Sequence, residues 1–433
     1  MLKAVLVVVV VVVLAIPATF LFLSGHSTLA FDPPPQAIGE ATPFSVRVSN
    51  PHGVRRVTAI LEQNGERTVL GESDAPARRF TFFGSHAAPR DFAFTTKKGL
   101  KEGKARLIVE AESNDLRGST DSTTDEVAVI LRPPSLAVDG FQHYINQGGS
   151  EMAILTPSGS WTQAGVRVGN DDFRSFPSDG GKDRIALFAF PWDMPRDTAP
   201  FAYVKNAAGT EARAQFWFKV FPKKFQARDF VIDDAFLNKV VNQVDPNGSG
   251  DLLQRFLKIN GEMRRENNKT IADLRFKTEP KFLWSQPFLQ LANSKVESSF
   301  ADVRSYIYKG KKVDQQTHLG FDLAVRQHTP VLAANDGKVV WAGPLGIYGN
   351  CIVVDHGYAL QSIYGHLSEI AVKEGQPVKR GEEMGKSGST GLAGGDHLHF
   401  SMQIDGVQVN PIEWWDAHWI KDHIFDRLNH SAP

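Results

Sequence analysis

Hydrophobic positions along the chain change their period several times. The first pattern is an apolar run dominated by valine, from Ala4 to Leu23, directly after Lys3. As a helix rising 1.5 Å per residue it would measure about 30 Å, the thickness of a bilayer's hydrocarbon core. Residues 1–30 therefore read as a membrane helix that anchors the chain. Thr28-Leu29-Ala30 offers the site at which a secretory signal would instead be cleaved. After the linker Asp32-Pro33-Pro34-Pro35, short runs such as 44–48 and 105–109 alternate apolar and polar residues. Asn64-Gly65, between the apolar runs 57–61 and 67–70, is a two-residue hairpin signal. Alternation sends successive side chains to opposite faces of a sheet. Residues 36–132 thus read as a small β-sandwich, immunoglobulin-like, closed by Pro133-Pro134.

The alternation continues through residues 135–228, with aromatic strands at 185–190 and 215–221, and predicts a second β domain whose aromatics fill its core. From 232 to 277 the period lengthens to that of a helix. Phe236, Leu237, Val240, Val241 and Val244 share one face behind an Asp233 or Asp234 cap. A second stripe, Leu252, Leu253, Phe256, Leu257 and Ile259, follows Asp251. Between the stripes, residues 245–251 carry the oxygen spacing of half a calcium loop. Phe256 stands where that loop requires a glutamate, so the segment reads as an inter-helix turn. Its place in the chain suits it to position the last domain or to cover its groove. Strand-like runs resume over 282–415 and leave 416–433 as a C-terminal tail. The predicted fold class is mainly β and multidomain: an N-terminal membrane helix, two β-sandwich-like domains, a short helical connector and a C-terminal β-rich domain.

Length agrees with several domains, since 433 residues exceed what one core usually serves. Lys and Arg number 48 and Asp and Glu number 48, which leaves no basic footprint for nucleic acid. The single cysteine, Cys351, rules out a cysteine-built zinc site, and its apolar surroundings make it a small buried hydrophobe.

Candidate chemistry gathers in the last third, where His318, Asp322, His366, His397 and His399 fall within short motifs. In the segment 317–324, His318 and Asp322 are four residues apart in a strand-like run. A regular strand would hold them too far apart to share an ion, and Gly320 between them supplies the freedom to bend. His397 and His399 are two apart, so both imidazoles point to one face, and one can bind a metal while the other stands beside it. Two histidines and one carboxylate are a usual protein ligand set for a catalytic zinc with a position open for water. No His-Glu-x-x-His occurs to supply a glutamate base, so the histidines not needed as ligands are the natural substitutes. His356, at a hairpin turn, suits a structural role at least as well as substrate contact.

These motifs resemble the lysostaphin or LytM-type zinc metalloendopeptidases, hydrolases of bacterial peptidoglycan, over roughly residues 285–415. The resemblance is carried by His-Leu-Gly-Phe-Asp-Leu-Ala (318–324), Asn-Asp-Gly-Lys-Val-Val-Trp-Ala-Gly (335–343) and Tyr-Gly-His-Leu (364–367). Gly-Lys-Ser-Gly-Ser-Thr-Gly (385–391) and His-Leu-His-Phe (397–400) extend it. It implies His318, Asp322 and His399 as ligands of one Zn²⁺ and His366 and His397 as the catalytic histidines. Some members place a tyrosine six residues before the first ligand, where this chain has Lys312, so Tyr308 and Arg304 become the candidates for contact with substrate or oxyanion. The implied substrate is peptidoglycan peptide, and the implied location is the bacterial cell envelope, with the chain anchored in the cytoplasmic membrane and its bulk outside, or secreted if the first segment is cleaved. The β domains would serve as spacers or as a surface for a regulatory protein partner. A metalloprotease of exported proteins, or a non-enzymatic regulator of other wall hydrolases, are the alternatives.

Overall fold

Alternating sequence becomes sheet throughout most of the chain in the computed structural model, which describes residues 9–15, 25–76, 87–115, 117–179 and 181–430. Residues 9–15 of the N-terminal apolar run are helical, and residues 1–8 and 16–24 lie outside the described residues; the end of the segment anticipated as a membrane helix is not helical, since Thr28–Phe31 is a strand paired with Pro43–Ser49. Among the described residues, no helix is long and apolar enough to cross a membrane.

The chain divides into two compact units: residues 1–134 with 159–162 and 205–212, and residues 135–158, 163–204 and 213–433. In the first, a five-stranded sheet runs in the spatial order Ala37–Ile38, Thr120–Val129, Gly103–Ser113, Val54–Gln63, Glu66–Asp74, beside a three-stranded sheet of Thr28–Phe31, Pro43–Ser49 and Arg90–Thr95. Val46, Val57, Leu107 and Val109, at alternate positions of their strands, form the shared core. The hairpin at Asn64-Gly65 is present, and both residues take positive φ, 54° and 83°, as a tight two-residue turn demands.

In the second unit, the strands Phe176–Pro177, Arg184–Ala189, Ser150–Ser158 and Ser135–Val138 make one sheet, and His143–Asn146 pairs in parallel with Phe218–Phe221. The largest sheet lies further along the chain. Its order is Lys295–Ser298, Phe321–Ala324, His397–Ile404, Leu360–Leu367, Asn350–Asp355, Gly337–Pro344, Pro377–Val378, with Val407–Val409 paired to His397–Ile404. Every residue of Leu360–Leu367 is buried, because both faces of the sheet are covered. Ile352, Val354, Tyr364, Phe400 and Met402 face one core, while Val340, Cys351, Val353 and Ile363 face another built with the connector. Burial also raises the thiol pKa of Cys351, as expected of a small core hydrophobe.

The connector is helical where its period indicated. Asp234–Val244 is capped by Asp233, whose carboxylate accepts from the Phe236 N–H at 2.7 Å, and buries Leu237, Val240 and Val241. Leu252–Lys258, capped by Asp251, continues through a π turn (Ile259–Met263) into Arg264–Asp273. The turn between the stripes is filled by a guanidinium: Arg255 Nε lies 3.3 Å from Asp245 Oδ2, which uses the carboxylate a calcium ion would need. The connector lies on the sheet face from which His397, His399 and Gln403 project. Two buried amides hold it there, Gln403 Nε2 donating to the Ile271 carbonyl at 2.8 Å and Gln361 Nε2 to that of Leu274 at 2.9 Å. Both carbonyls lie in the last turn of the connector helix, where each also accepts a backbone N–H, Ile271 from Leu274 and Leu274 from Lys277.

Beyond the last motif the chain is helical as far as residue 430 and returns to the β strands of the same unit. Glu413 accepts from Asn146 Nδ2 and from the Ser150 N–H, each at 2.7 Å, and burial pushes its carboxyl up to about 7. Arg427 donates to Glu151 Oε2 at 3.0 Å and to the Met152 carbonyl at 2.9 Å, with Glu151 fully buried. Charges enclosed in this way persist only when paired, so residues 412–430 are clamped to residues 143–152.

Candidate active site

His318 ends the strand Lys311–His318, which pairs with Asp302–Tyr308 in a three-stranded sheet completed by Ala227–Ile232. Asp322 belongs to the large sheet, where its register partner is His399. The chain thus changes sheets at Leu319-Gly320, and this change lets residues four apart converge. Gly320 serves by its missing side chain: a Cβ there would stand 2.6 Å from His399 Cε1 and 2.7 Å from the Phe400 carbonyl. Its role is to admit the His399 ring, a close approach rather than the special backbone angle anticipated from the sequence.

The three groups meet closely. His318 Nε2 is 2.9 Å from Asp322 Oδ1 and 3.0 Å from His399 Nδ1, and His399 Nδ1 is 3.1 Å from the same Asp322 oxygen. His318 Nδ1 lies 3.0 Å from the Ser299 carbonyl, which can only accept, so that nitrogen carries the proton and Nε2 presents a lone pair. Lone-pair donors from two imidazoles and a carboxylate, all buried and all within 4.8 Å, form a donor set suited to a divalent cation such as zinc. Burial opposes ionisation of Asp322, but the three histidines around it outweigh burial and hold its carboxyl well below the usual range. Its other oxygen, Oδ2, accepts from Arg304 Nη2 at 2.6 Å.

His366 and His397 stand beside this cluster, their ring centroids 4.8 Å apart. His366 Nδ1 donates to the Thr390 carbonyl at 2.8 Å and His397 Nδ1 to that of Gly395 at 2.9 Å, so each keeps Nε2 for another partner. His397 Nε2 is 3.5 Å from Asp322 Oδ1. Burial, with the neighbouring His397 and His399, pushes the pKa of His366 well below its ordinary value and keeps the ring neutral. His366 also takes φ 64°, a left-handed conformation uncommon for a residue with a side chain, of the kind that clusters at functional sites.

All five histidine and aspartate candidates line one cleft of about 650 Å³, together with Arg304. Tyr308 is not among the lining residues: its hydroxyl donates to Asp234 on the connector, and Tyr306 lines the cleft instead. His356 is buried away from the cleft, with Nδ1 2.8 Å from the Asp336 carbonyl and Nε2 2.7 Å from Ser362 Oγ. Burial lowers its pKa to about 4, as suits a core histidine.

Comparison with known proteins assigns a family to the region that holds these residues. Residues 316–411 match the family described as Peptidase family M23. The chain carries an M23 peptidase domain. That domain is 42% identical over 95 residues to the DD-carboxypeptidase/endopeptidase Mpg of Neisseria meningitidis serogroup B, covering 22% of each protein. It is 42% identical over 96 residues to the peptidoglycan DD-endopeptidase ShyA of Vibrio cholerae serotype O1, again 22% of each. With the murein hydrolase activator NlpD of Escherichia coli K12 it shares 38% over 96 residues, 22% of this chain and 25% of that one. These matches span about a quarter or less of each relative's length, and the candidates His318, Asp322, His366, His397 and His399 all fall inside the M23 match.

The cleft is wider than the M23 match. Phe236, Arg264 and Asn268 of the connector line it, and so do Arg228 and Phe230 of the strand Ala227–Ile232. No motif marked these residues in the sequence, since each reaches the cleft only through tertiary packing.

Proposed function

We propose that the chain is a zinc metalloendopeptidase that cuts peptide bonds between D-residues in the stems or cross-bridges of bacterial peptidoglycan. The observation that carries this reading is the convergence of His318 Nε2, Asp322 Oδ1 and His399 Nδ1, with two carbonyl-tethered histidines alongside. Zinc held by those three residues would supply a water acidified toward neutral pH and a Lewis acid for the scissile carbonyl. His366 and His397, each with Nε2 available, divide acceptance of the water's proton from donation to the oxyanion and the leaving amine. Arg304 orients Asp322 through the oxygen that faces away from the cluster. NlpD is named an activator of murein hydrolases, and a regulator with no activity of its own would need neither the complete donor set nor both flanking histidines. The relatives named for peptidoglycan bonds support the substrate, and the apolar run from Ala4 to Leu23 supports anchoring at the bacterial membrane with the bulk outside.

The decisive experiment incubates the full chain, in detergent, with purified peptidoglycan. Release of peptides that stops with a chelator and returns with zinc is the expected result; a folded, zinc-loaded chain that releases nothing would overturn the reading. Arg304→Ala is expected to weaken zinc binding about ten- to hundredfold by freeing the Asp322 carboxylate, as loss of a partner behind a metal ligand commonly does. Competition against a colorimetric chelator measures this, and an unchanged affinity would reduce Arg304 to a packing residue.

A further inference from the structure

We infer that Arg264 of the connector recognises a carboxylate on the peptide substrate; this deepens the peptidase reading and rests on it. Three arginines line the cleft. Arg304 is matched to Asp322 at 2.6 Å, and Arg228 lies 3.6 Å from Asp302 and donates to the Glu297 carbonyl at 3.1 Å. Arg264 has no ion-pair partner among the described residues. Its guanidinium bonds only to Asn260, one turn earlier on the same helix, Nε to the carbonyl at 3.1 Å and Nη2 to the side-chain oxygen at 2.6 Å. Nη1 has no acceptor among the described residues. A half-buried guanidinium in this setting has lost hydration without gaining an anion, and its planar fork matches a carboxylate.

The position is held from several sides. Asn260 is fully buried and donates from Nδ2 to Asp314 Oδ2 at 2.7 Å. One turn beyond Arg264, Asn267 Oδ1 accepts from the Ile347 N–H and Asn268 Oδ1 from the Tyr348 hydroxyl, both at 2.9 Å. The Tyr348 ring packs edge-on against His399, with centroids 5.5 Å apart. The helix carrying Arg264 is thereby registered against the loop that supports a proposed zinc ligand. Asp229, Glu297 and Asp396 also line the cleft. An anionic substrate therefore meets one cation unmatched among the described residues of the cleft, which favours a single binding register over a generally basic groove.

The test uses a synthetic cross-linked peptide with D-residues at the scissile bond, prepared with free carboxylates, with the terminal carboxyl amidated, or with the side-chain carboxyl amidated. Cleavage kinetics and binding by fluorescence anisotropy are measured on the zinc-loaded full chain as wild type, Arg264→Lys and Arg264→Gln. In the wild type, amidation of one of the two carboxyls should weaken kcat/KM and affinity about ten- to hundredfold, and the form affected identifies the group bound. In Arg264→Gln that penalty should shrink to about threefold or less, with Arg264→Lys between. Equal behaviour of the three peptides in the wild type overturns the inference even if Arg264→Gln fails to fold, and so does an undiminished penalty in the variant. Cleavage without discrimination overturns the Arg264 inference alone. Discrimination in binding with no cleavage of any form overturns the peptidase reading alone, and neither binding nor cleavage overturns both.

Discussion

Replacing His399 with alanine should remove zinc and lower peptide release about a thousandfold or more. The ring is one of three groups whose donor atoms meet at 2.9–3.1 Å, and its register partner across the sheet is another of them, Asp322. Losing one leaves a histidine and a carboxylate, too few to hold a catalytic zinc at ordinary free-metal levels. The rate then forfeits the several kcal/mol that a metal contributes by acidifying water and polarising the carbonyl. Atomic absorption on the purified variant, beside peptidoglycan hydrolysis, checks both halves. A variant that keeps about one zinc per chain and its activity would show that the ligand set lies elsewhere. Folding should survive, because Gly320, Gly365 and Tyr348 surround the ring and the strand's apolar face, Leu398, Phe400 and Met402, is untouched.

His366 should separate chemistry from metal binding. Its alanine variant is expected to keep zinc and to lose about a hundred- to ten-thousandfold in kcat with little change in KM, the usual cost of removing a positioned proton-transfer group. Backbone geometry complicates that substitution, since His366 holds φ 64°. Asparagine tolerates the left-handed region better than alanine, so His366→Asn serves as the second variant. Loss of kcat in both, with zinc retained, supports a catalytic role. Loss of zinc in both would make His366 a support for the cluster instead.

Much of the candidate site was legible in the sequence because its residues sit in short motifs. His397 and His399 are two apart on one strand, and that spacing alone directs both rings to one face. The alternating runs of the first unit, the Asn64-Gly65 turn and the Asp233 and Asp251 caps are local features, decided within a few residues, and each has the form that its local chemistry predicts. Tyr308 illustrates the limit. Nothing within its strand distinguishes it from Tyr306, two residues earlier on the same side; Tyr306 lines the cleft, while Tyr308 reaches the connector at Asp234.

The sequence alone determined that the chain is β-rich, that a helical segment interrupts it between residues 232 and 277, and which residues have the chemistry of a metal site. Those properties follow from periodicity and from side-chain type, which are written locally. Only the tertiary structure decided that His318 and Asp322 belong to different sheets, and that Gly320 is needed for space. It alone set the connector on the face that bears His399, with one arginine left without an ion-pair partner among the described residues of the cleft. Such facts depend on segments from 77 to more than 130 residues apart in the chain, such as Asp322 with His399 and Ile271 with Gln403. Their meeting follows from sheet register and two-sided burial, which no local pattern encodes.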